Sequence, residues 1–218
     1  MEKVIFLDRD GTLNEEVNYL HRKEDLRLLP GVPEALKKLR DAGYKLVVIT
    51  NQAGVARGYY NEEDVEELHR YMNGLLAEQG GQIDAFFYCP HHPEHGIGRY
   101  KKACHCRKPE TGMFERAQEL FDIDKEASWM IGDKLIDVEA GRRYGVSTAL
   151  VGTGYGRAER QKAEEDKCAG DGGKLKAAAG NLRQEKCLYD IYAETLNEAA
   201  DKILRREADG GGASGRWR

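Results

Sequence analysis

The chain has 218 residues, 40% hydrophobic and 33% charged, with a formal net charge of -4. That length buries a substantial core, and the composition excludes collagen-like, disulfide-miniprotein and disordered classes, while the acidic balance argues against a general nucleic-acid binder. The longest apolar runs, such as Ala85 to Cys89, fall far short of the roughly 20 residues that cross a bilayer, and Met1-Glu2-Lys3 opens no secretory signal, so a cytoplasmic protein without membrane contact is expected.

Lys3 to Leu7 is a short apolar run rich in β-formers, as expected for a strand buried on both faces, and it stops at Asp8. Gly31-Val32-Pro33 opens a helix with Val32, Ala35, Leu36 and Leu39 on one face, and Gly43 suits its stop. Lys45 to Ile49 is a second buried strand. Asn61 caps a longer helix whose Val65, Leu68, Met72, Leu75 and Leu76 keep the 3.6-residue period as far as Gly80-Gly81. Asp84 to Tyr88 reads as a strand, Thr111 to Phe121 as a helix, and Ser128 to Ile131 and Thr148 to Val151 as two more strands. Alternating strands and helices predict an α/β fold, a Rossmann-like doubly wound parallel sheet with ligands beyond the carboxyl ends of its strands. Residues 1–155 carry this core. Residues 156–187, rich in Lys, Glu, Ala and Gly, are expected as a mobile insertion or loose helix; a strand at Leu188 to Tyr192 and a helix near Thr195 to Leu204 return over 188–208, and 209–218 form a Gly-rich tail.

Chemistry concentrates at the strand ends. Asp8-Arg9-Asp10-Gly11-Thr12 sets two carboxylates two residues apart where the first strand must turn, which suits one nucleophile and one acid or base, although a solvated turn uses the same residues. Thr50-Asn51-Gln52 ends the second strand with a hydroxyl and backbone amides able to hold a phosphoryl oxygen. Arg107-Lys108-Pro109 offers Lys108 to neutralise charge on a transferring phosphoryl group, and Gly132-Asp133-Lys134 with Asp137 follows another strand. Asp8 and Asp133, with help from Asp10, make a hard oxygen site suited to Mg²⁺. Cys89-Pro90-His91 and Cys104-His105-Cys106 present four ligands as C-x-H, twelve residues, then C-x-C, enough for a closed structural Zn²⁺ site, with His92, His95 and His105 as rival ligands. Such a site can contribute on the order of 10 kcal/mol to folding.

The order of these pieces resembles the haloacid dehalogenase superfamily over residues 3–155. That resemblance implies that Asp8 attacks phosphorus, Asp10 serves as general acid and then base, Thr50 and Lys108 hold the phosphoryl group, and Asp133 binds Mg²⁺. With the zinc loop and no room for a large cap domain, the chain is similar to the D-glycero-D-manno-heptose 1,7-bisphosphate phosphatases, which remove the C7 phosphate. This implies further that Arg107 aids substrate recognition, that Lys134 contacts substrate, and that Glu16, Val17, Asn18 and Tyr19 with Thr50, Asn51, Gln52 and Ala53 line the pocket. Arg57 is a further candidate for a second phosphate. The family's chain closes sooner after Gly152-Thr153-Gly154, whereas here Arg157 to Lys186 intervenes with Cys168 and Cys187.

An acid role for Asp10 predicts a carboxyl pKa raised by burial and a neighbouring carboxylate. The expected partner is a small phosphorylated sugar, the expected state a monomer. A histidinol-phosphate phosphatase shares these motifs, a DNA 3'-phosphatase would want a basic stripe that is absent, and a catalytically inert zinc-stabilised module would not need Asp8, Asp10, Lys108 and Asp133 together.

Overall fold

The computed structural model describes residues 1–170 and 188–210. Six strands, β1 (Val4–Leu7), β2 (Lys45–Asn51), β3 (Ala85–Cys89), β4 (Trp129–Gly132), β5 (Ser147–Val151) and β6 (Ile191–Ala193), form one parallel sheet in the order β3-β2-β1-β4-β5-β6. The connecting helices are α1 (Val32–Asp41), α2 (Ala53–Ala56), α3 (Glu62–Ala77), α4 (Gly112–Gln118), α5 (Leu135–Tyr144), α6 (Gly156–Gly170) and α7 (Leu196–Ala208).

The period-2 alternation of a strand sorts the apolar residues into two cores. Ile5, Leu7, Leu46 and Val48 face Leu36 and Leu39 of α1, Leu68 and Met72 of α3, and Leu196 and Ile203 of α7. Val4, Phe6, Val47 and Ile49 face Met113 and Phe114 of α4 and Ala140 and Tyr144 of α5. Phe6, Phe114 and Tyr144 pack with centroids 4.7–5.8 Å apart, Phe114 stacked on Tyr144 and Phe6 tilted or edge-on to both, a compact aromatic wedge under the second face. With both faces covered, the strands read as continuous apolar runs, which is why they were recognisable from sequence.

Several boundaries move. The last strand lies at Ile191–Ala193 because Ile191 and Ala193 are buried, whereas Leu188 is exposed. The expected Thr111–Phe121 helix spans only Gly112–Gln118, its buried residues being Gly112, Met113, Phe114 and Ala117. Helix α5 has no apolar stripe in the sequence, since it buries Asp137, Val138, Ala140, Gly141 and Tyr144, mostly small or polar residues. Of the segment expected as an insertion or loose helix, 156–170 form α6; residues 171–187, Cys187 among them, the side chain of Cys168, and residues 211–218 lie outside the described residues. No helix among the described residues is long and apolar enough to cross a membrane.

Strand order reverses between β1 and β4, which pair with Leu7 beside Ile131. Side chains leaving those two strands at their carboxyl ends therefore enter one crevice, the switch point of a doubly wound sheet. The amide of Asp8 still donates to the Ile131 carbonyl at 2.9 Å, so Asp8 leaves the sheet from a fixed register. On this edge the longest connections among the described residues are 8–31 and 90–111.

Candidate active site

The crevice opens into a cavity of about 290 Å³ lined by Asp8, Asp10, Glu16, Asn18, Tyr19, Thr50, Asn51, Gln52, Ala53, Tyr60, Lys108, Lys134, Ile136, Asp137 and Tyr155. Lys108 sits at its base with almost no exposure, its Nζ donating to Asp8 Oδ1 at 2.8 Å and to the Ile49 carbonyl at 2.8 Å, and 2.7 Å from Asp137 Oδ1. Burial alone would lower its pKa, but Asp137 and Asp8 outweigh burial and raise it, so the ammonium stays charged. The backbone that carries Lys108 is held to β2 by Asn51, whose side-chain oxygen accepts from the Lys108 amide at 3.0 Å and whose side-chain nitrogen donates to its carbonyl at 3.2 Å.

Asp8, Asp133 and Asp137 bring one oxygen each within 4.8 Å of one another, all buried. Gathering three carboxylates in a dry crevice disfavours full ionisation. Burial, then the charge of Asp8, pushes the Asp133 carboxyl up to about 8. Asp137 is pushed up to about 6 by burial and Asp8, against the opposing pull of Lys108. Asp133 accepts the Tyr155 amide on Oδ2 at 2.9 Å, but its Oδ1 is buried with no hydrogen-bond partner, the Lys134 ammonium standing 3.9 Å away. A buried all-oxygen cluster with an orphaned carboxylate oxygen fits a hard divalent cation. Gly11, at φ +81°, packs so closely on Asp133 that any side chain there would collide with the carboxylate.

Asp10 differs from its expected state. Its carboxylate turns away from the cluster and is held by Arg9 Nε and Nη2 at 2.9–3.1 Å, by Asn14 Nδ2 at 3.0 Å and by Gln52 Nε2 at 3.0 Å. Its side chain is thus not among the gathered carboxylates, where Asp137 stands with Asp8 and Asp133. Nor is its pKa raised: burial pushes upward, but the Arg9 charge and the bonds from Asn14, Gln52 and Arg9 together hold the carboxyl below its usual value. Burial and a neighbouring carboxylate would raise it; Arg9, the residue directly before it, reverses the balance.

Two expected pocket residues also fall elsewhere. Arg107 is outside the cavity lining, its guanidinium donating to the His91 carbonyl at 3.2 Å. Val17 lines a neighbouring hollow of about 330 Å³, which Asn18 and Tyr19, at φ +50° and +62°, border together with the active-site cavity. Lys134 reaches the cavity, 3.3 Å from Glu16 Oε2. Arg57 lies outside the lining with its guanidinium 5.8 Å from the Tyr19 ring. Tyr60, Ile136 and Tyr155 were missed. Tyr155 stands just past Gly152-Thr153-Gly154 at the end of β5, so the strand-end rule itself could have found it.

Beyond the edge of β3, Cys89, His91, Cys104 and Cys106 converge with S···S separations of 3.3–3.4 Å and S···Nδ1 separations of 3.4 and 3.8 Å. Those thiols are free, and the spacings are near the about 3.7 Å edge of a tetrahedron with metal–sulfur bonds of about 2.3 Å. The rivals stand outside the group: His105 meets Glu115 at 2.8–2.9 Å, His92 accepts the amides of Glu94 and His95, and the His95 ring lies 3.7 Å from the Glu94 carboxylate. A larger cleft of about 670 Å³ lies between α3 and this loop and holds none of the strand-end carboxylates.

The raised pKa of Asp133 sets a pH dependence. Between about pH 4 and pH 8 the unfolded chain has lost a proton that folded Asp133 retains, so metal-free stability attributable to this residue falls as pH rises through that window. Asp133→Asn in EDTA should therefore gain melting temperature relative to the parent as pH goes from 4 to 8, and Mg²⁺ should stabilise the parent and not the variant. Thermal scans across pH with and without Mg²⁺ check this; a difference that is flat with pH would be the contrary result.

Two family models match the chain, one described as haloacid dehalogenase-like hydrolase over residues 5–69 and one as HAD-hydrolase-like over residues 105–171. The D-glycero-beta-D-manno-heptose-1,7-bisphosphate 7-phosphatase of Haemophilus ducreyi is 48% identical over 155 residues, 70% of this chain and 85% of that protein. The alpha-named 7-phosphatase of Photorhabdus laumondii is 46% identical over 158 residues, 72% of this chain and 86% of that one. Among solved structures, the D,D-heptose 1,7-bisphosphate phosphatase of B. bronchiseptica, complexed with magnesium and phosphate, superposes with a TM-score of 0.73 at 30% identity, covering 94% of this chain and 99% of that one. Identity of this extent, over a sheet whose switch point gathers Asp8, Lys108, Asp133 and Asp137, makes the chain a member of the haloacid dehalogenase-like hydrolases, in the family of the D-glycero-D-manno-heptose-1,7-bisphosphate 7-phosphatases.

Proposed function

We propose that this protein removes the C7 phosphate of D-glycero-D-manno-heptose 1,7-bisphosphate through a phosphoaspartate on Asp8, releasing heptose 1-phosphate. The observation that carries the reading is the buried contact of Asp8 with Lys108 at the switch point, in a cavity lined mostly by polar residues. Glu16, Asn18, Gln52 and Lys134 offer acceptors and donors suited to sugar hydroxyls and a second anion.

Asp8, Asp133 and Asp137 would hold Mg²⁺, which when bound supplies positive charge that lets two anions meet. Lys108 and Thr50 orient the phosphoryl oxygens, and the Lys108 ammonium, donating to Asp8 Oδ1, holds that carboxylate in place for attack. A bond forms from the Asp8 carboxylate to phosphorus as the bond from phosphorus to the sugar C7 oxygen breaks, and a proton from Asp10 goes to that oxygen. Asp10 then takes a proton from the water that attacks phosphorus, giving inorganic phosphate and free Asp8. The Arg9 clamp favours the second role, because it holds Asp10 ionised; the approaching phosphate places negative charge beside it and favours the protonated form that the first role needs.

We further propose that Cys89, His91, Cys104 and Cys106 hold a structural Zn²⁺. Their donor set leaves no open position for chemistry, and the loop from Cys89 to Cys106 has few other apolar anchors.

Phosphate release with Mg²⁺ should show a kcat/KM for a heptose 1,7-bisphosphate anomer at least about 100-fold above that for histidinol phosphate, with Asp8→Asn on the same assay falling by about 10⁴-fold or more. A preference for histidinol phosphate would keep the chemistry and replace the substrate. Elemental analysis should find close to one Zn²⁺ per chain, and its removal should lower the melting temperature and open 92–103 to proteolysis; protein without bound zinc and with an unchanged melt would overturn the tetrad's assignment.

A further inference from the structure

We propose that His69 is a positioning residue for the acid–base carboxylate of Asp10, acting through Arg9; this rests on the reading of Asp10 given above. Arg9 is a fully buried cation, and its donors divide by direction. Nε and Nη2 hold the Asp10 carboxylate, and Nη2 also donates to the Leu20 carbonyl at 3.2 Å and to Gln52 Oε1 at 3.1 Å. Nη1 turns the other way and meets His69 Nε2 at 3.3 Å. A guanidinium only donates, so Nε2 must accept and the ring must be neutral with its proton on Nδ1. Burial first, and the Arg9 charge second, hold His69 well below its usual pKa, in agreement with that tautomer.

The ring itself is fixed. It stacks on Phe86, centroids 4.7 Å apart with planes at 23°, and meets Tyr88 edge-on at 6.0 Å. It rides on α3 between the buried anchors Leu68 and Met72, and Asn61 and Asp64 cap that helix reciprocally. The angle of the imidazole thus sets the plane of the guanidinium, and that plane sets the two oxygens of Asp10. Without an acceptor at Nε2, one edge of a buried cation loses its partner, and the guanidinium turns to recover one, carrying Asp10 with it. Proton transfer to the departing oxygen needs heavy atoms at hydrogen-bond distance, so such a turn costs most where the leaving group needs that proton.

That dependence gives a test that separates positioning from general damage. The kcat/KM values of His69→Leu are compared on heptose 1,7-bisphosphate, whose alkoxide must be protonated, and on p-nitrophenyl phosphate, whose phenolate leaves without a proton. The expected result is a loss of about 10–100-fold on the sugar phosphate and less than about threefold on the aryl phosphate. His69→Gln, whose Oε1 reaches the place of Nε2, should recover most of the loss, and His69→Asn, whose oxygen does not, should not; this pair carries the contrast should His69→Leu fail to fold. Equal losses on both substrates, or none, would overturn the role of His69. Asp10→Asn is run alongside: a leaving-group contrast there with none at His69 removes only the positioning role, whereas no contrast at Asp10 removes the acid assignment and this inference with it.

Discussion

Three carboxylates and one ammonium, buried where the sheet changes direction, are the constraint on which the rest of the structure depends. Asp8, Asp133 and Asp137 converge within 4.8 Å with Lys108 against two of them. Such a cluster is electrostatically poor in isolation, because the buried Lys108, with the partly exposed Lys134 3.9 Å from Asp133, does not balance three carboxylates in a low-dielectric crevice. The raised pKa values of Asp133 and Asp137 express that shortfall. The fold tolerates it because the surrounding backbone is rigid: parallel strands fix Asp8 and Asp133, α5 fixes Asp137, and Asn51 ties the Lys108 segment to β2. A site short of positive charge is one suited to a divalent cation.

Two carboxylates only two residues apart are sorted into opposite environments by the same turn. Asp8 points into the cation-seeking cluster, while Asp10 is taken by Arg9, Asn14 and Gln52. Separate surroundings are what allow neighbouring acids to carry different duties. Arg9 makes the separation possible by filling the space behind the turn with a fully buried charge, whose contacts reach from Leu20 to Gln52 and His69.

The cysteine and histidine loop is the structural complement of this arrangement. Cys89 ends β3, and Cys106 lies two residues before Lys108, so gathering the four side chains joins a strand end to the segment that carries the buried Lys108 ammonium. Few apolar side chains would do this, since Cys104 and Cys106 are only partly buried against the second core. Metal ligation by the tetrad, as proposed, would replace the burial that the loop lacks.

The strands, most helices and the strand-end motifs were legible in sequence, because period-2 and period-3.6 burial leaves apolar patterns, and because turn residues such as Asp8 and Asp133 must follow those patterns directly. The tetrad was legible because its ligands lie at short, regular spacing. What the sequence left open was direction. Which carboxylates gather, whether Arg107 reaches the cavity as Lys134 does, and which hollow Val17 lines depend on side-chain orientation across elements distant in the chain. The helix α5 was hidden for a related reason, since its buried face is made of small and polar residues whose partners come from other strands. The pKa of Asp10 was decided in the same way: its neighbour Arg9 was visible in the sequence, but only the tertiary structure, by closing Leu20, Gln52 and His69 around that guanidinium, turned it back onto the carboxylate.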